Sequence, residues 1–61
     1  MGMTREELAR AIQAVAGGSP VAMARTIGVS YKTLNDWQRG KSPIPETAAI
    51  LIRLLLENLH G

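Results

Sequence analysis

Six residues between Tyr31 and Arg39 carry the side chains best suited to recognising another molecule: Tyr31, Lys32, Thr33, Asn35, Asp36 and Arg39. On a helix they form an outward face, because Leu34 and Trp37 lie one turn apart and point the opposite way. The chemistry open to them is hydrogen bonding rather than bond-making. A lysine donates to guanine O6 or N7, and a carboxylate accepts from the cytosine amino group. Tyr31 offers a ring to a thymine methyl or a hydroxyl to a phosphate. Asn35 and Thr33 are short donors for phosphate or base edges. A polar and basic helix face of this kind is what a major-groove reader presents. The same residues also permit an ordinary solvated face. Lys32 and Asp36 are spaced to pair with each other for about 0.2–0.5 kcal/mol, so Asp36 is either a specificity determinant or an intrahelical partner.

Arg39, Lys41 and Ser42 stand at the end of this helix and the start of the next connector, where a phosphate strand would pass. From Ser19 to Pro45 the basic residues are Arg25, Lys32, Arg39 and Lys41, and the only acid is Asp36. Glu6, Glu7, Glu46 and Glu57 lie in the flanks. The net charge of +2 is modest, but its distribution points to a polyanionic partner for the middle of the chain. Arg25 either touches phosphate or pairs with Glu6 or Glu7.

Catalysis is a poor fit. There is one histidine, His60, no cysteine, and no pair of carboxylates set for acid–base work. Gly17-Gly18-Ser19-Pro20 is neither a phosphate loop nor a nucleophile elbow. No ligand set has metal-site spacing. The expectation is a non-enzymatic protein without cofactor or metal.

The elements that must position the polar face are short helices. Thr4-Arg5-Glu6-Glu7 fits a capping box, and Leu8, Ile12, Val15 and Ala16 form one stripe of a helix ending near Ala16. Gly17-Gly18 stops it. Ser19 caps a second helix over about 20–27, with Pro20 in its first turn, where a missing N–H costs nothing. Gly28 can take the positive φ that ends this helix sharply, and Ser30 can cap the next. That third helix, about 31–39, is closed by Gly40. Ala24 is small, so helices two and three can cross closely, with Ile27 facing Leu34 and Trp37. Lys41-Ser42-Pro43-Ile44-Pro45 is a stiff connector. No segment alternates with period two, so no strand is expected. The fold class is all-α: one small four-helix domain spanning 1–61.

The fourth helix, about 46–59, is unusually apolar. Ala48, Leu51, Ile52, Leu55 and Leu59 share one stripe that can close the core. Ala49, Ile50, Leu54 and Leu56 widen the apolar surface beyond what one face of a small domain needs. Sixty-one residues make a marginal core, and without cysteine the remaining remedy is a partner subunit. A homodimer through Ile50, Leu54 and Leu56 is therefore expected. The longest apolar run, Thr47 to Leu56, is broken by Arg53 and falls short of the ~20 residues of a membrane span. Met1 and Met3 are both candidate starts; no basic segment followed by an apolar one marks a signal peptide, and a cytoplasmic protein is expected.

The residues Met23-Ala24-x-x-Ile27-Gly28-Val29-Ser30, entering Thr33-Leu34-x-x-Trp37-x-x-Gly40 and a proline-bearing connector, resemble the lambda-repressor-like, Cro-like helix-turn-helix family of phage and bacterial regulators. The resemblance runs from Ser19 to about Ile52. It implies a sequence-specific transcriptional regulator, a Cro-like repressor, that binds double-stranded DNA as a homodimer. The positions that touch base edges in the family match Tyr31, Lys32 and Asp36. Members often carry Gln or Ser at the first two, so Tyr31 and Lys32 are departures. Pro20 stands where many members have a phosphate-binding Gln, leaving Ser19 as the substitute donor. The fifth helix of many members is missing, which shifts dimerisation onto helix four. The short chain is also similar to Cro-related antitoxins, so the alternative is a protein-interaction module whose fourth helix clasps a toxin.

Overall fold

The computed structural model describes residues 2–60, the side chain of His60 excepted, so the sequence reading of His60 concerns a side chain outside the described set. Four helices follow one another: α1 (Arg5–Ala16), α2 (Pro20–Ile27), α3 (Tyr31–Gln38) and α4 (Glu46–His60). No strand occurs among the described residues. The molecule is an all-α four-helix domain.

Local chemistry sets the helix ends. The Glu7 N–H donates to Thr4 Oγ1 at 3.1 Å, and the Thr4 N–H donates to Glu7 Oε1 at 3.2 Å, the reciprocal pair of a capping box. Ser19 caps α2 by accepting from the Ala22 N–H at 3.2 Å. Gly28 closes α2 at φ 76°, and the N–H groups of Gly28 and Val29 both donate to the Ala24 carbonyl. Ser30 caps α3 through the Thr33 N–H at 3.2 Å. The third helix ends at Gln38, with Arg39 as its C-cap in a right-handed conformation and Gly40 at φ 76°. Arg39, expected in the last helical turn, thus lies in the turn itself.

The core joins Leu8, Ala11 and Ile12 of α1, Met23 and Ala24 of α2, Leu34 and Trp37 of α3, and Ala49 and Ile52 of α4. Met3 and Ile44 complete it from outside the helices, neither of them foreseen as core. The first helix packs on all three others, and α2 packs on α3 and α4. The backbones of α3 and α4 do not meet closely. Between them lies a groove lined by Ile27, Val29, Trp37, Pro45, Ala48 and Leu51.

The fourth helix is rotated from its expected setting. Ala49 and Ile52 are fully buried, and Ala48 and Leu56 pack against the core. Leu51 and Leu59, expected inside, are exposed. On a helical wheel the shift is roughly 70°. Two features select this setting. Ala11 and Ala49, both fully buried on packed helices, leave room for close approach. Arg53 bridges Glu7 of α1 and Glu46 at 3.7 Å each, marking the seam between α1 and α4. Leu56 is therefore removed from the expected interface set: it is half-buried beside Met3, Ala11 and Ala14. Ile50 and Leu54 remain exposed at 50% and 52%, joined by Leu51 and Leu59. No helix among the described residues is long and apolar enough to cross a membrane.

Candidate nucleic-acid interface

The polar face rests on α3, which Leu34 and Trp37 anchor in the core. Tyr31 and Lys32 occupy its first turn and are exposed, Tyr31 at 49%. Thr33, Asn35 and Asp36 are half-buried. The helix therefore presents its N-terminal end most fully, with the later polar residues set back toward the domain.

Two of these side chains have local duties. The Ser30 hydroxyl donates to Thr33 Oγ1 at 2.9 Å, so Thr33 belongs to the cap and keeps only its own hydroxyl hydrogen for another acceptor. Lys32 Nζ meets Asp36 Oδ2 at 3.3 Å, with the lysine side chain 87% exposed and the aspartate 24%. Such an exposed pair contributes little stability. It leaves two of the three ammonium hydrogens unused and aims the ammonium from a fixed base.

At the far end of α3, Arg39, Lys41 and Ser42 are exposed on the turn and the connector. The Lys41 N–H donates to the Asp36 carbonyl at 2.9 Å, which ties the connector back to α3 and leaves the lysine side chain outside. Arg39 and Lys41 form no ion pair with a described carboxylate. Arg25 forms none either: Glu7, one of its two candidate partners, is engaged by Arg53 and the Thr4 cap. The basic side chains of the middle segment, Lys32 apart, thus have no ion-pair partner among the described residues. Ser19 is exposed, and its oxygen already accepts from Ala22, so its hydroxyl hydrogen is what remains to donate.

Arg5 was not foreseen. It belongs to the first turn of α1, yet its guanidinium lies over Gly40, where an added Cβ would stand 3.1 Å from Nη1. No linear signal links positions this far apart. Only the packing of α1 on α3 brings them together.

The α4 face is separate from this basic region in character. Ile50, Leu51, Leu54 and Leu59 are the exposed large apolar residues of α4, with Leu55 half-buried beside them. Through Leu51 the face runs into the groove between α3 and α4, which has a volume of about 250 Å³. No family model, no curated protein and no solved structure matches the chain.

Proposed function

We propose that this chain is a sequence-specific DNA-binding transcriptional regulator of the lambda-repressor-like, Cro-like kind, reading the major groove with α3 as a homodimer. The observation that carries the reading is the surface of α3 and its following turn. Tyr31 and Lys32 stand exposed at the helix start, and the cations Arg39 and Lys41, without a carboxylate partner among the described residues, stand at its end. Base-reading groups beside a phosphate-binding rim are the two parts such recognition requires. Tyr31, Lys32 and Asp36 are assigned to base edges. Arg39, Lys41, Ser42 and Ser19 are assigned to phosphates, with Asn35 and Thr33 between the two roles. The regulator works in the cytoplasm, on double-stranded DNA.

Dimerisation is assigned to the exposed face of α4, centred on Ile50 and Leu54. A stable interface buries about 800 Å² per partner. Burial of that extent is a fifth of this molecule's 4003 Å² surface, so α4 must be joined by its neighbouring groove. Selection of bound sequences from a random duplex pool tests the proposal. A shared motif repeated at a spacing of about 10 bp supports it, and recovery of no motif with no salt-dependent affinity overturns it.

The second reading is an interaction module such as an antitoxin. Its support is the same exposed row on α4, which would then face a different protein. Salt dependence of binding to mixed-sequence DNA separates the two, since phosphate contacts make affinity fall steeply with salt.

A further inference from the structure

A cleft of about 530 Å³ opens between the start of α1 and the turn that follows α3. Its floor is apolar, built from Met3, Trp37 and Ile44, each buried to within a tenth of full burial. Its rim is polar and basic, with Arg5 on one side and Lys41 and Ser42 on the other. No carboxylate of the described residues lines it, and neither Arg5 nor Lys41 pairs with a described acid. Gly40 lies beneath Arg5. An added Cβ there would stand 3.1 Å from Arg5 Nη1 and 3.2 Å from Cδ, so the arginine lies close against the turn.

We propose that Arg5, Lys41 and Ser42 form a cleft that binds one backbone phosphodiester of DNA, with Arg5 as its principal anion ligand. The proposal rests on the DNA-binding reading above and extends it to an element outside the helix-turn-helix. A guanidinium presents a planar fork that holds two phosphate oxygens at once, while an ammonium acts as a point charge. The serine hydroxyl adds a rotatable donor. The small apolar surface that the floor leaves accessible can meet the deoxyribose carbons flanking a backbone phosphate. A phosphate held here ties α1 and the end of α3 to the same strand. Contacts of that kind fix the orientation of a recognition helix without reading sequence.

The test is a salt series on a mixed-sequence duplex of about 20 bp, a length that spans two half-sites. Wild type is compared with Arg5→Gln, Lys41→Gln, their double variant and Arg10→Gln. Arg10 faces the groove between α1 and α4 instead and serves as the control. Arg5→Gln is expected to weaken binding about ten-fold, or about 1.4 kcal/mol, and to leave sequence preference intact. The double variant loses no more than about 0.9 from the slope of log affinity against log salt, the value of one phosphate. Arg10→Gln leaves the slope unchanged.

A loss near 1.8 in the double variant means two separate phosphates and overturns the shared cleft. So does an Arg5→Gln variant with wild-type affinity and slope, although the DNA-binding reading then stands. Wild-type protein without salt-dependent affinity overturns both. If Arg5→Gln lowers the melting temperature, Arg5→Lys decides. Keeping the charge but not the fork, it must hold the slope and lose several-fold in affinity, and full wild-type affinity counts against the cleft.

Discussion

Lys32 and Asp36 face each other at 3.3 Å across one turn of α3, a cation exposed to solvent steered by a carboxylate set back in the surface. The pair puts opposite charges on the same face that the proposed function assigns to base edges. Lys32→Ala is expected to weaken preferred sites by about 1–3 kcal/mol and to relax preference at one position per half-site. Asp36→Ala is expected to strengthen binding to mixed sequences, since a charge that repels phosphate is gone, and to blur the preference. Competition assays on selected and scrambled duplexes read both outcomes.

Arg39 is the C-cap of α3, exposed and without a described carboxylate partner. Arg39→Ala should weaken all sequences about equally and lower the salt slope by about 0.9. A change confined to one base position would move Arg39 from phosphate to base contact.

Leu54 is 52% exposed at the middle of the apolar face of α4. Sedimentation at micromolar concentration should give twice the 6.6 kDa chain mass, and Leu54→Glu should give the single mass. A wild-type monomer under these conditions removes α4 as a self-interface.

Trp37 is 5% exposed and joins the floor of the basic cleft to the wall of the α3–α4 groove. Trp37→Ala should cost about 3–5 kcal/mol, a large share of the roughly 5–15 kcal/mol that holds a domain folded. Circular dichroism should show a much lower melting temperature. Unchanged melting with lost DNA binding would assign Trp37 to the contact surface.

Glu7 has a pKa below the ordinary glutamate value, chiefly because the Thr4 backbone N–H binds its carboxylate, with Arg53 adding to the effect. A lowered folded-state pKa means that ionised Glu7 stabilises the fold above the ordinary value. That contribution fades as pH falls through the lowered one. Wild type should therefore melt higher than Glu7→Gln at neutral pH, and the difference should shrink toward zero in acid. Melting curves from about pH 7 to about pH 3 check this.

Much of the architecture is legible in the chain itself, because it depends on neighbours within one helical turn. The Thr4–Glu7 box, the Ser19 and Ser30 caps and the left-handed Gly28 each satisfy backbone groups at most five residues away. Leu34 and Trp37 are equally readable, since their one-turn spacing gives α3 a single apolar side. The polar face opposite them follows from the same periodicity. Tertiary structure decided what periodicity leaves degenerate. The fourth helix is apolar around most of its circumference, so its sequence tolerates several rotations. Burial of the small Ala49 where α4 packs on α1, with Arg53 bridging Glu7 and Glu46, selects the one that turns Leu56 inward and Leu51 outward. Met3 and Ile44 become core only because the N-terminal segment and the connector are drawn across Trp37. Arg5 reaches Gly40 for the same reason: spatial neighbours far apart in sequence are created by helix packing, and no local pattern encodes that packing.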